Sequence, residues 1–243
     1  IWRTVEHWSD ELPAIRLTLG EGDTPLVASR RIGPAAGLQR LCFKLETGNP
    51  SGSYKDRFAA AAVSDMLATG RSRAISTSSG NTGAALAAYC AAAGIRCEIA
   101  VVESAPAVKL LQMQAYGADI YRVRGFGLDP AATERTLQQL EQRAAAPDAA
   151  LQISAFYYSP RGMRGVRSIA FELAEQLPGA IDHVFCPAGG GGLALAVCQG
   201  FQSLTAAGRF AASPRVECVQ PEGNATIAGP LRAGADRAQA VAC

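Results

Sequence analysis

The sequence is poor in histidine and has no paired cysteine motif. Its 243 residues include two histidines, His7 and His183, which lie far apart, and seven cysteines, an odd number with no C-x-x-C pair. Zinc sites and disulfide frameworks need clustered ligands or regularly spaced cysteines, so we expect neither a metal nor disulfides. Most of the cysteines lie in apolar runs, where cysteine is usually a small core residue. We therefore expect a cytoplasmic location.

Runs of one charge and long apolar runs are missing as well. The net charge is +2 and no stretch concentrates Lys or Arg, so we expect no nucleic-acid partner. No apolar stretch reaches membrane-spanning length without a charge, a Gly or a Pro, and no secretory signal is visible, so we expect no membrane partner. The chain starts at Ile1 and stops at Ala240-Val241-Ala242-Cys243 without a polar tail. We expect the protein to continue beyond one or both ends.

Two common catalytic motifs are absent. No lysine follows the glycine run at residues 189–192, which argues against a nucleoside triphosphate site. No G-x-S-x-G turn occurs, and both histidines are remote from any such serine, which argues against a hydrolase triad.

Short apolar β-like runs alternate with helical runs along most of the chain. Hydrophobic residues make up 49% of the sequence and aromatic residues only 7%, with Ala and Gly abundant, which suits tight packing of helices. Strands are predicted at 73–77, 97–102, 119–123, 151–154, 183–187 and 216–220, and helices at 58–67, 81–93, 106–116, 130–145, 163–176 and 192–204. This alternation predicts an α/β fold of parallel sheets covered by helices, with ligands bound at the carboxyl ends of the strands.

Lys55 lies in Ser51-Gly52-Ser53-Tyr54-Lys55-Asp56-Arg57, where a turn is followed by a helix. The positive end of a helix and the nearby Arg57 should both make the ammonium of Lys55 easier to deprotonate. A neutral lysine amine is what Schiff-base chemistry requires. Taken alone, Lys55 would more simply be explained as a solvated surface lysine.

Two polar or glycine-rich turns each join a predicted strand to a predicted helix. Ser78-Ser79-Gly80-Asn81-Thr82-Gly83 would gather hydroxyls and backbone N–H groups at a helix start, which suits a carboxylate, although an ordinary helix cap explains it equally well. Pro187-Ala188-Gly189-Gly190-Gly191-Gly192-Leu193 would let the backbone wrap closely around a phosphate. The same run fits G-x-G-x-x-A, and Glu222 follows the next strand, so a dinucleotide stays open as an alternative.

One cofactor unites a lysine for an imine, a phosphate cradle and a carboxylate cradle: pyridoxal 5'-phosphate, whose substrates are small amino acids. The sequence resembles the threonine synthase branch of the fold-type-II pyridoxal-phosphate enzymes, which are related to tryptophan synthase β and cysteine synthase. The resemblance runs from about residue 20 to residue 223. The motifs that carry it are Gly22-Asp23-Thr24-Pro25-Leu26, Asn49-Pro50-Ser51-Gly52-Ser53-Tyr54-Lys55-Asp56-Arg57, Ser79-Gly80-Asn81-Thr82-Gly83, Gly189 to Leu193, and Gln220-Pro221-Glu222-Gly223.

The resemblance implies specific roles for these residues. Lys55 would form the Schiff base with the cofactor and then act as general base. The remaining roles would fall to Asn81 at the phenolic oxygen, to Gly189, Gly190, Gly191, Gly192 and Leu193 at the phosphate, and to Ser78, Ser79 and Thr82 at the substrate carboxylate. A small mobile domain at 42–155, a larger domain made of 1–41 plus 156–243, and a homodimer are also implied. The residue that would contact the pyridine nitrogen has no counterpart before the chain ends.

The substrate region departs from the pattern of threonine synthases. Those enzymes usually carry Asn-Ser-x-Asn-Pro-x-Arg, whose polar groups help to hold a substrate phosphate. Here Phe156, Tyr157, Ser159 and Gly162 stand at the Asn, Ser, Asn and Arg positions, and Phe58 replaces a common Gly. An aromatic wall would leave a phosphate unpaired, although Arg161 or Arg164 could compensate.

We therefore expect a threonine synthase-like lyase or synthase that eliminates or replaces a β- or γ-substituent of another amino acid. The alternatives are a genuine threonine synthase, which converts O-phosphohomoserine to threonine and phosphate, a threonine or serine ammonia-lyase, and a dinucleotide-binding protein.

Overall fold

The computed structural model describes residues 1–8, 12–177 and 179–238. The chain end at Ala240 to Cys243, where we expect the protein to continue, lies outside the described residues.

The described residues form two compact units. The first comprises residues 1–2 and 12–165, and the second comprises residues 3–8 and 166–238. The division implied by the resemblance, with one domain at 42–155 and the other at 1–41 plus 156–243, stays a prediction.

The first unit contains strands and helices in near-regular alternation. In chain order they are β1 (Leu26–Ala28), α1 (Ile32–Ala35), β2 (Cys42–Lys44), α2 (Lys55–Ala68), β3 (Arg73–Thr77), α3 (Asn81–Ala93), β4 (Arg96–Val102), α4 (Ala107–Ala115), β5 (Asp119–Val123), α5 (Pro130–Ala144), β6 (Ala149–Leu151) and most of α6 (Pro160–Val166). The second unit contains α7 (Ser168–Gln176), β7 (His183–Pro187), α8 (Gly192–Ala206), β8 (Arg215–Val219) and α9 (Ala228–Arg232). Short 3-10 helices occupy Trp2–His7, Glu46–Gly48 and Glu222–Asn224.

The predicted α/β class is confirmed. The first unit has a four-stranded parallel sheet in the order β5-β4-β3-β6 and a small antiparallel pair β1-β2, and the second has the parallel pair β7-β8. Helix α3 and strands β3, β5 and β7 have the predicted bounds. Within the described part of the chain no helix combines the length and the apolar character that crossing a membrane requires.

Two predicted elements differ from the structure. The strand expected at 151–154 is β6, which ends at Leu151. Gln152 N still donates to the Ile75 carbonyl at 2.8 Å, whereas the Gln152 carbonyl accepts the hydroxyl hydrogen of Ser76 at 2.6 Å, so the regular ladder ends at this point. The helix expected at 163–176 is divided into α6 and α7.

Small side chains allow the helices of the first unit to pack closely. Helices α2 and α3 are rich in alanine, and most of their residues are buried on all sides. Helix α6 meets α2 at Gly162 and Gly165, and a Cβ atom at Gly165 would overlap the Arg57 carbonyl oxygen. Because β3 and β6 are parallel neighbours, their carboxyl ends bring the residues after Thr77 and after Leu151 to the same sheet edge.

A buried ion pair fixes the segment that contains Lys55. The Arg57 side chain is 0% exposed, and it donates from Nε and Nη2 to the Glu46 carboxylate at 2.7 and 2.8 Å. The same carboxylate accepts hydrogen bonds from Thr24 Oγ1 at 2.7 Å and Asn49 Nδ2 at 2.9 Å. One carboxylate thus joins three separate stretches of chain.

Glu46→Ala should lower the free energy of unfolding by about 3–5 kcal/mol, because it removes the carboxylate from a buried guanidinium. Asp65→Ala is the matched control, since it removes the carboxylate of the Arg161–Asp65 pair, whose arginine is 62% exposed, and should cost less than about 1 kcal/mol. Urea unfolding of both variants measures the difference. Equal losses would contradict the structural importance of the buried pair.

Candidate functional site

Lys55 is the first residue of α2, and its amine is held in place by neighbouring groups. Nζ donates a hydrogen bond to Ser154 Oγ at 2.7 Å and lies 4.6 Å from the centroid of the Tyr54 ring. Ser154 Oγ lies 2.8 Å from Thr82 Oγ1, in the first turn of α3. The structure therefore connects Lys55 to the predicted substrate turn through a serine that sequence reasoning did not single out.

Burial lowers the pKa of Lys55 from 10.5 to about 8. The reduced pKa agrees with expectation, but its cause differs, because Arg57 is engaged by Glu46 and the shift comes from desolvation. A reduction of this size raises the neutral fraction of the amine at pH 7 by about 300-fold. Lys55 is therefore suited to nucleophilic attack on a carbonyl carbon and to accepting a proton.

The predicted substrate turn, residues 78–83, lies at the start of α3. Gly80 caps this helix without a side-chain hydrogen bond among the described residues, so no side-chain cap would compete with an anion for the first-turn N–H groups. Ser78 Oγ accepts from Gly80 N at 3.2 Å, and Ser79 Oγ accepts from Val102 N at 3.3 Å. Of the three predicted carboxylate-binding side chains, Thr82 is the one that the structure links to Lys55.

Asn81 is exposed and carries a partner that the sequence did not reveal. Its Oδ1 accepts a hydrogen bond from Lys109 Nζ, in α4, at 2.8 Å. This bond leaves the Asn81 amide nitrogen as the donor for an oxygen of a bound molecule.

The glycine-rich loop of the second unit follows β7 and ends in α8. Gly191 caps α8 in the left-handed conformation, with φ 78°, and no side chain of the described residues caps the helix. A Cβ atom at Gly189 or Gly190 would have no heavy atom of the described chain within 4 Å, whereas one at Gly191 would lie 3.0 Å from Ile227 Cδ1. Open space beside a helix start matches what a phosphate needs, so the loop fits the expected phosphate cradle.

Gln220 braces this loop from the end of β8. Its Nε2 donates to the Gly189 carbonyl at 3.2 Å and to Thr226 Oγ1 at 3.0 Å. Its Oε1 accepts from the backbone N–H groups of Ile227 and Ala228 at 2.9 and 2.8 Å. Gln220 thus ties the loop to the segment before α9.

Ser154 carries a signal that could have identified it. It is a polar residue shortly after a strand, at the sheet edge where parallel strands gather ligands. Lys109 gives no such signal, because it lies within a helix whose position relative to Asn81 depends on tertiary packing.

The sequence pattern described as "Pyridoxal-phosphate dependent enzyme" matches residues 17–242. The threonine synthase of Methanosarcina acetivorans is 32% identical over 236 residues, which cover 96% of this chain and 56% of that protein. The threonine synthase of Mycobacterium tuberculosis is 33% identical over 230 residues, which cover 92% of this chain and 61% of that protein. The chain therefore spans a little over half the length of these relatives.

Solved structures share the fold. Serine racemase from Dictyostelium discoideum superposes with a TM-score of 0.72 at 27% identity, over 87% of this chain and 64% of that one. Maize serine racemase superposes with a TM-score of 0.73 at 25% identity, over 89% of this chain and 61% of that one. A fungal L-serine ammonia-lyase from Rhizomucor miehei superposes with a TM-score of 0.71 at 21% identity, over 87% of this chain and 64% of that one. At this identity the likeness is one of fold alone.

Lys55→Met should stabilise the protein freed of bound small molecules at pH 7, by on the order of 2 kcal/mol. The folded-state pKa near 8 lies below the unfolded value of 10.5, so keeping Lys55 charged opposes folding at pH values below 8. This penalty disappears as the pH rises from 8 to above 10.5, because the amine is then neutral in both states. Denaturant unfolding of both proteins at pH 7 and pH 10.5 tests the prediction, and a gain that does not depend on pH would contradict it.

Proposed function

Because the chain belongs to the family of pyridoxal-phosphate-dependent enzymes, we propose that it is a lyase or synthase that eliminates or replaces a β- or γ-substituent of an amino acid. When bound, the cofactor supplies an electron sink for the charge left by loss of the α-proton. The observation that carries the proposal is the Lys55 amine, which has a pKa near 8 and is linked through Ser154 to Thr82.

Each residue has a distinct part in this proposal. Lys55 would hold the cofactor at its aldehyde carbon, and its Nζ would accept the substrate's α-proton, for which a pKa near the working pH is suited. Thr82, with Ser78 and Ser79, would bind the substrate carboxylate at the start of α3. Asn81 would donate to the phenolic oxygen. Backbone N–H groups of Gly189, Gly190, Gly191, Gly192 and Leu193 would hold the phosphate.

The intact protein loaded with cofactor should be yellow, and Lys55→Ala should abolish the near-visible absorption band. Lys109→Ala is the control, since it removes a lysine amine that contacts Asn81 and should leave a covalent attachment intact. Borohydride reduction followed by peptide mapping should place the cofactor on Lys55. Attachment at another lysine would overturn the proposal, and binding of a nicotinamide or flavin cofactor without covalent attachment would support the dinucleotide alternative.

Gly190→Asp should weaken cofactor binding by about 100-fold, because its carboxylate would repel the cofactor's phosphate at close range. Gly190→Ala is the matched control, since a methyl group there meets open space and Gly190 has no positive φ. Fluorescence titration with pyridoxal phosphate measures affinity, and circular dichroism verifies the fold. Normal binding by folded Gly190→Asp would remove the loop from the site.

We propose that the substrate is not O-phosphohomoserine. Position 162, where relatives carry an arginine, cannot take a larger residue without movement, because a Cβ atom there would lie 2.7 Å from Phe58 Cε2. The Phe58 ring is itself fully buried. Phe58 and Gly162 thus favour a pocket without a phosphate-binding guanidinium at this position.

The neighbouring polar groups support the same view. Arg161 Nη1 forms an ion pair with Asp65 at 2.6 Å, and Ser159 donates its hydroxyl hydrogen to Gln152 Oε1. Tyr157 is 86% exposed and packs edge-on against Tyr158, with ring centroids 4.8 Å apart. Arg161 and Ser159 therefore have protein partners, and the most exposed group of this segment is aromatic.

Genuine threonine synthase is the second candidate, since the curated relatives carry that name. A third is ammonia release from serine or threonine, for which the fungal L-serine ammonia-lyase gives a likeness of fold.

The intact enzyme should turn over at least one β- or γ-substituted amino acid without a phosphate, and should act poorly on O-phosphohomoserine. A panel of both substrate types, with release of pyruvate, 2-oxobutyrate, phosphate and threonine measured, separates the candidates. Efficient release of threonine and phosphate from O-phosphohomoserine would restore threonine synthase.

We also propose a homodimer and a cytoplasmic location. The homodimer rests on the family resemblance. The cytoplasmic location is supported by free thiols, because cysteines stay reduced in that compartment. The free cysteines of the described residues are Cys42, Cys90, Cys97, Cys186, Cys198 and Cys218.

A further inference from the structure

Ser154 lies between the lysine and the substrate turn and contacts both. We propose that Ser154 is a positioning residue whose hydroxyl holds the Lys55 amine in register with Thr82. The inference rests on the proposed function, because it assumes that the Lys55 amine is the reacting group.

The three side chains come from three different elements, and the fold fixes the one in the middle. Lys55 begins α2, Thr82 lies in the first turn of α3, and Ser154 follows β6. Two hydrogen bonds to β3 anchor the chain just before Ser154, from Gln152 N to the Ile75 carbonyl at 2.8 Å and from the Ser76 hydroxyl to the Gln152 carbonyl at 2.6 Å. The backbone at Ser154 is therefore held in place, so the flexible Lys55 side chain is the group that adjusts to form the hydrogen bond.

The two hydrogen bonds that link Lys55, Ser154 and Thr82 run in one direction. The Lys55 amine donates to Ser154 Oγ at 2.7 Å, so Ser154 can donate its own hydroxyl hydrogen to Thr82 Oγ1 at 2.8 Å. A lysine side chain has four rotatable bonds, and an acceptor at a fixed position restricts their freedom before the reaction. A hydroxyl is well suited to this role, because it accepts a strong hydrogen bond from an ammonium and a weaker one from a neutral amine.

The bond to Ser154 also opposes the effect of burial. Hydrogen bonding to the charged form favours that form, whereas desolvation lowers the pKa of Lys55. The neighbouring charged groups are directed elsewhere, since Asp56 accepts from Ser51 at 3.0 and 2.7 Å and Arg57 is paired with Glu46. The Tyr54 ring, which also favours the ammonium, is unchanged by substitution of Ser154.

The test measures the pKa of Lys55 in intact protein stripped of cofactor with hydroxylamine. Trace acetic anhydride labels the amine as a function of pH, and mass spectrometry quantifies labelling at Lys55. Ser154→Ala should lower the pKa by about one unit, since it removes an acceptor of the ammonium. Ser154→Thr keeps the hydroxyl and should keep the pKa. Ser159→Ala, which removes a hydroxyl from the same stretch of chain, should leave the pKa unchanged.

The rate at which Lys55 captures added pyridoxal phosphate is a second measurement, and it separates an effect on the position of the amine from an effect on its pKa. At pH 10, where the amine is neutral in every variant, Ser154→Ala should capture added pyridoxal phosphate about tenfold more slowly, and Ser154→Thr should capture it normally. An unchanged pKa together with an unchanged capture rate in Ser154→Ala would overturn the proposal. A loss of thermal stability alone would mean a structural role and would overturn it too.

Thr82→Val carries the test if Ser154→Ala does not fold. It keeps the serine acceptor but removes the group that orients it, so the pKa of Lys55 should fall by about half a unit. An unchanged value would overturn the proposal. If even the unsubstituted protein captured no pyridoxal phosphate on Lys55, the proposed function would fail, while the labelling would still decide whether Ser154 holds the amine.

Discussion

The buried guanidinium of Arg57 is the constraint on which the lysine segment depends. A fully buried positive charge is costly unless a carboxylate pairs with it in good geometry. Glu46 does so from a different stretch of chain and also accepts from Thr24 and Asn49. Residues that look like separate motifs in the sequence are therefore parts of one hydrogen-bonded cluster. The start of α2, and Lys55 with it, is held by that cluster rather than by the helix itself.

Lys55 and Arg57 are only two residues apart, but their positive charges have opposite environments. Arg57 is neutralised by Glu46 and keeps its charge in the interior, as suits a group that does not titrate in the accessible range. Lys55 has hydroxyl and aromatic neighbours, so desolvation is not offset by a carboxylate and its pKa falls to about 8. Proximity in sequence suggested that Arg57 acts on Lys55 by repulsion. The fold instead turns the guanidinium to Glu46 and leaves burial as the cause.

Local sequence signals correctly predicted the elements that are bounded by clear turn and helix-capping residues. Strand β3 and helix α3 have the expected bounds because the polar turn at residues 78–80 separates them and Gly94 ends α3 in the left-handed conformation. The end of β6 was not predictable in the same way, because it depends on how the chain pairs with the neighbouring strand: Gln152 N still donates to Ile75, but the Gln152 carbonyl accepts from the Ser76 side chain. Ser154 was missed for a related reason, since its importance lies in which residues the strand pairing brings beside it. The lysine and the glycine loop could be proposed from the sequence because their motifs are contiguous.

The departures from the threonine synthase pattern at Phe58 and Gly162 are far apart in sequence but touch in the fold. A Cβ atom at position 162 would collide with the Phe58 ring, so a larger residue at either position limits what the other can be. The two differences are therefore best understood as one coupled change in the packing of α6 on α2. Gly165 brings the next turn of α6 against the Arg57 backbone, so this contact adjoins the segment that fixes Lys55. Because a Cβ atom at Gly165 would overlap the Arg57 carbonyl oxygen, the close packing of α6 on α2 at this contact requires a residue without a side chain on the α6 side.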